Sequence, residues 1–94
     1  MGYNFDWDLK KAASNARKHG IAFEEASTVF ADPLAILKAD PDHSLDEMRY
    51  ILLGMSARGR LLVVSFAERP PRTRIISARR ATRRERRQYE EEPE

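Results

Sequence analysis

From residue 69 to the C-terminus every cation is an arginine, nine of them against five glutamates, whereas residues 1–68 hold eight Lys or Arg against ten Asp or Glu. A guanidinium is planar, grips phosphate through two parallel hydrogen bonds and stacks on bases, which an ammonium does less well. That choice of cation suits a nucleic acid, and it equally describes a solvated basic surface without a specific ligand. Arg74 and Arg79 are the first candidates for direct chemistry, because a strand expected around them would hold a guanidinium against a phosphate on rigid backbone. In a regular strand the two fall on opposite faces, so either one is structural or the strand bends. Glu68, at the end of the preceding strand, could take a proton or pair with an arginine. His19, just before a helix-ending glycine, could move a proton near neutrality or cap helix carbonyls. His43 stands beside Asp42 in a polar loop, where an ordinary loop contact is the commoner outcome. Lys11 and Lys18 share a helix face and could touch phosphate. Arg80, Arg83, Arg84, Arg86 and Arg87 suit binding better than reaction, since backbone contacts supply affinity. Tyr89 could stack on a base, with pinning of the last helix to the sheet the favoured alternative.

The chain's 94 residues, 41% of them hydrophobic, suffice for one modest core, so a single domain over 1–94 is expected, with an acidic tail of about 90–94 left mobile. Without cysteine there is no disulfide or thiolate metal site, and the two histidines lie far apart, which excludes a zinc fold. No apolar run approaches the roughly 20 residues that cross a bilayer, and the first residues lack the pattern of a secretory signal, so a cytoplasmic protein is expected.

Residues 3–7 alternate aromatic and polar side chains, the period of a half-buried strand. Asp8 can cap a helix whose apolar positions are Leu9, Ala12, Ala13 and Ala16, with Lys11, Asn15 and Lys18 opposite and Gly20 ending it. A second helix follows, with Glu24 and Glu25 in its first turn, Ala26, Val29 and Phe30 inward, and Asp32-Pro33 closing it. Residues 34–39 read as a strand and 40–44 as a loop. Strands at 49–55 and 61–68 are joined by a turn at Ala57-Arg58-Gly59, and a strand at 73–78 completes an antiparallel meander. Thr82 and Glu85 have capping-box spacing, which starts a helix to about 91 with almost no apolar stripe. Trp7, Phe5, Phe23 and Phe30 belong to the core. The class is α+β: an antiparallel sheet covered on one face by two N-terminal helices, the other face free, with a basic C-terminal helix.

Phe5-Asp6-Trp7-Asp8, the segment Lys11 through Asn15 to Lys18-His19-Gly20 with Phe23, and the run from Arg74-Ile75-Ile76-Ser77-Ala78-Arg79-Arg80 through Arg86 with Tyr89 together resemble the BrnT toxins of bacterial type II toxin–antitoxin systems. The resemblance covers nearly the whole chain. It implies a RelE-like fold, metal-independent cleavage of RNA (mRNA) without a cofactor, and neutralisation by a BrnA-like, DNA-binding antitoxin. Operator DNA would then be reached only through the antitoxin, and a homodimer or a heterotetramer with it would be natural assemblies.

Metal-independent RNA cleavage uses the ribose 2′-hydroxyl against the adjacent phosphate, so the protein must supply a base, an acid and cations. Arg74, Arg79, Glu68 and His19 are the residues expected to act, with Lys11, Lys18, Arg80, Arg83, Arg84 and Tyr89 holding RNA. A non-enzymatic nucleic-acid or protein-binding module explains the charge equally well. So does a subunit whose polar last helix is completed by another chain. An acid or base gathered with two arginines in one concavity distinguishes the enzyme.

Overall fold

The computed structural model describes residues 4–40 and 47–91. The expectations for Tyr3, for the loop around Asp42 and His43, and for the end of the acidic tail lie outside these residues. The elements are β1 (Phe5–Asp6), α1 (Leu9–His19), α2 (Phe23–Thr28) running into a 3₁₀ turn (Val29–Ala31), β2 (Ile36–Ala39), β3 (Arg49–Met55), β4 (Leu61–Arg69), β5 (Arg72–Arg80) and α3 (Arg83–Glu90). No helix among them is long and apolar enough to cross a membrane.

The strands form one sheet in the order β1-β5-β4-β3-β2. β2 to β5 make the expected antiparallel meander. β1 departs from it, pairing parallel with β5 through Phe5 opposite Thr73 and Asp6 opposite Arg74, so the sheet is mixed. Parallel neighbours need a long crossover. Here everything between residues 7 and 71 supplies it, and the short N-terminal strand fills one end of an otherwise open edge.

α1 and α2 cover one face. Ile21, Phe23 and Val29 are fully buried there against Leu62, Val64 and Ile75. Edge-to-face pairs continue the packing, Phe5 on Phe30 and Phe30 on Phe66, each with ring centres 4.9 Å apart. Glu25 does more than favour a helix start. It is buried, accepts from Arg60 Nε (2.9 Å) and Ser56 Oγ (2.7 Å), and so ties α2 to the β3–β4 turn.

α1 starts and stops where the sequence indicates: Asp8 accepts the Lys10 and Lys11 amides at 2.8 and 3.0 Å, and Gly20 takes the left-handed conformation at φ 72°. Its buried side is a correction. Leu9 is 79% exposed, and Ala13 and Ala16 face solvent, while Ala12 and Asn15 turn to the sheet. The cause is hydrogen bonding, because the Asn15 amide satisfies backbone groups on β5 that an alanine stripe would leave bare.

The second face is only partly free. Leu53, Leu61 and Val63 form a smaller cluster there with Ala81 and Tyr89 packed on it, so α3 lies over one end of the sheet. Gly54 of β3 sits on the helix side, where a Cβ would stand 2.9 Å from both Ala35 Cβ and Val29 Cγ1 and 3.1 Å from Asp32 Oδ2. Gly54→Ala is therefore expected to cost about 1–3 kcal/mol through overpacking. A urea titration giving an unchanged midpoint would contradict that.

Candidate functional site

In the β4–β5 ladder Ser65 lies opposite Ser77 and Phe66 opposite Ile75, which leaves Ile76 without a partner. This is a one-residue bulge. Residues directly opposite share a face. Val63, Ser65 and Ala67 alternate along β4, so their partners Arg79, Ser77 and Arg74 all stand on one face of β5. The extra residue cancels the alternation that a regular strand would impose. At roughly 3.3 Å per residue the two arginines are about 13 Å apart, with Ser77 between them. The face runs on through Arg49 and Ile51 of β3 to Lys38 of β2, on the side away from α1 and α2.

Each arginine is held by a carboxylate. Arg79 Nη1 and Nη2 donate to Glu85 Oε1 and Oε2, both at 2.9 Å. Arg74 Nη1 stands 3.4 Å from Asp6 Oδ2. Glu85 also closes the capping box of α3, accepting the Thr82 amide at 2.8 Å while Thr82 Oγ1 accepts the Glu85 amide at 3.1 Å. The bonds from Arg79, helped by the Thr82 amide, hold the Glu85 carboxyl down at about 2. The same pairing raises the already high pKa of Arg79. Farther along this face, Lys38 Nζ donates to Gln88 at 3.4 Å, and Glu47 accepts from both Arg49 (3.1 Å) and Arg69 (2.8 Å).

A second group of candidates meets this strand at its outer edge. Lys11, Ser14, Asn15, Lys18 and His19 of α1 line a pocket of about 210 Å³ together with Ile76 and Ser77. Ser77 thus belongs to both surfaces. The structure brings Lys11, Lys18 and His19 to the strand that bears Arg74 and Arg79. Among the described residues no cluster of three His, Asp or Glu side chains could hold a metal ion.

Other expected site residues lie elsewhere. Glu68 stands opposite Thr73 on the helix-covered face, accepts from its hydroxyl at 3.4 Å, and lines a separate cavity with Phe30 and Asp32, so it does not join the arginines. Arg80, opposite Leu62, also falls on that side. Arg83 and Arg84 project from the first turn of α3, exposed and without an ion pair among the described residues. Tyr89 is a pin: its hydroxyl donates to Asp32 Oδ2 at 2.7 Å, and burial together with that bond pushes it up to about 12. Sequence reasoning missed Ser77, Lys38 and Arg49 as neighbours of the arginines. For Arg49 and Lys38 alternation along β2 and β3 carried the signal, but for Ser77 the bulge erased it.

Since the Glu85 carboxyl falls from an ordinary 4.5 to about 2 on folding, its bonds stabilise fully above pH 4.5 and are lost as the pH drops toward 2. Glu85→Gln should lower the urea midpoint near pH 6, with the two proteins converging by about pH 2. Parallel curves over that window would show the clamp to be absent in solution.

The family model of the ribonuclease toxin BrnT of type II toxin–antitoxin systems matches residues 7–85. No curated protein matches the chain. Among solved structures the fold is similar to the ribonuclease toxin BrnT of Brucella abortus, at 23% identity and a TM-score of 0.63, covering 86% of this chain and 99% of that one. With the family model spanning most of its length, the chain belongs to the BrnT ribonuclease toxins of type II toxin–antitoxin systems.

Proposed function

We propose that this chain cuts single RNA strands laid along β5, with Arg74 and Arg79 holding the backbone and His19 serving proton transfer at the strand's outer edge. The observation that carries this reading is the bulge at Ile76, which aims both arginines from one face beside the pocket lined by Lys11, Lys18, His19 and Ser77. In such a cut the ribose 2′-oxygen attacks its own 3′-phosphorus, losing its proton to a base. The bond to the 5′-oxygen of the next nucleotide then breaks, and that oxygen takes up a proton. The products are a 2′,3′-cyclic phosphate and a 5′-hydroxyl. Charge grows on the non-bridging oxygens, where a guanidinium is worth most. Arg79 meets that charge by sharing its fork between phosphate and Glu85. His19 is the histidine among the described residues, and an imidazole carries one nitrogen that can accept a proton and one that can give it up. Lys11 and Lys18 would seat the flanking phosphates, and exposed Arg83 and Arg84 would extend the track. Glu68, on the far face, takes no part.

The family places the chain in a toxin–antitoxin system, and a BrnA-like antitoxin covering this basic face would silence it and carry the pair to operator DNA. Loss of messages to cleavage would then stop translation. A purely binding module remains the competing reading, favoured by the carboxylate already seated on each arginine.

The purified protein is expected to cleave RNA in the presence of a chelator, leaving cyclic phosphate ends. Arg79→Ala and His19→Ala should each lower the rate by about 100-fold with circular dichroism unchanged. Intact RNA beside folded parent protein would decide for the binding module, and cleavage that needs added divalent metal would overturn the metal-free route.

A further inference from the structure

Among the described residues, β5 is paired on its outer side only at Thr73 and Arg74, where β1 lies, and beyond that point no strand lies on its edge. Ala78 stands on this bare stretch. In place of a strand it meets one side chain: its N–H donates to Asn15 Oδ1 at 3.1 Å, and its carbonyl accepts from Asn15 Nδ2 at 2.8 Å. The same Nδ2 donates to the Ile21 carbonyl at 3.0 Å. Asn15 is only 7% exposed, and its side-chain carbonyl and both N–H donors are spent on backbone. Asparagine is a mediocre helix former, so its place in the middle of α1 is offset by these bonds.

We infer that Asn15 is the positioning residue of the site: by copying a strand's hydrogen bonds at Ala78, it fixes α1 against β5. This inference rests on the reading of β5 as the RNA track. Two geometric facts carry it. Lys11, Lys18 and His19 are the i−4, i+3 and i+4 neighbours of Asn15 and form one patch around it, all lining the same pocket. Fixing this one side chain therefore sets where Lys11, Lys18 and His19 stand relative to Ser77. Ala78 also lies two residues past the bulge. A one-residue slip of β5 would undo the bulge and turn Arg79 to the other face, and Asn15 grips the strand from the side that β4 does not hold.

The test is a double-mutant cycle read as affinity for a 2′-O-methyl oligoribonucleotide, which binds but cannot be cut. Lys18→Ala is expected to weaken binding by about fivefold in the parent. In an Asn15→Ala background, at a temperature where circular dichroism shows full folding, the same change should cost less than about twofold, because the lysine is no longer held in place. Asn15→Asp, which keeps the acceptor for the Ala78 amide and loses both donors, should give the same loss of coupling. An equal Lys18→Ala penalty in all three backgrounds would overturn the proposal and leave Asn15 a stability residue. A parent that fails to bind the oligonucleotide at all would instead remove the RNA reading on which it rests. Should neither Asn15 variant fold, the parent alone decides by NMR: RNA should shift the Asn15 side-chain and Ala78 amides together with Lys18, and a shift at Lys18 alone would count against the role.

Discussion

A strand that bears two arginines five positions apart can present both to one ligand only if its alternation is broken once between them. β5 breaks it at Ile76, between Ser77 and Ile75, which remain paired with β4. The bulge needs support on both sides, because an unpaired residue in an edge strand invites slippage. β4 supplies one side over most of its nine residues. β1 supplies two residues of the other, and the Asn15 amide supplies a third point at Ala78. The basic surface is thus organised by neutral backbone bonding, and the charges are passengers on it.

Much of this frame could be read directly from the residues. The 49–55 strand, the Asp8 and Gly20 ends of α1 and the Thr82–Glu85 capping box stand where spacing and turn chemistry place them. Those features are local, so local rules reach them. The parallel β1 was not legible, because alternation describes a strand's faces and says nothing of its partner. Ile76 looks like any apolar strand residue, and only the ladder shows that it is skipped. Asn15 was hidden by its alanine neighbours, which offered a plausible apolar stripe one step around the helix. Glu68 is a different case: it follows Phe66 by two residues, so simple alternation already puts it with the core face, away from Arg74 and Arg79.

α3 resolves a tension in its own composition. A helix polar nearly all round has little to bury, yet this one is seated by Tyr89 and neighbouring Ala81 on the small cluster of Leu53, Leu61 and Val63. Glu85 holds Arg79, and Gln88 accepts from Lys38, so the side toward the sheet is a polar contact with one aromatic anchor. The arginines at 83, 84 and 87 are left facing water. One helix therefore both neutralises a strand arginine and extends the positive surface beyond it.

Asp32 joins distant parts of this arrangement. Its Oδ1 accepts the Leu34 amide, and its Oδ2 accepts both the Met55 amide and the Tyr89 hydroxyl, at 2.9, 2.7 and 2.7 Å. Burial opposes its ionisation, but these bonds together keep the carboxyl below its ordinary value. A single oxygen atom therefore sits at a junction of the segment after α2, the central sheet and α3. Detachment of the C-terminal helix would strip the Tyr89 bond from the same oxygen that fastens the segment after α2 to β3, so a disturbance at either place is felt at the other.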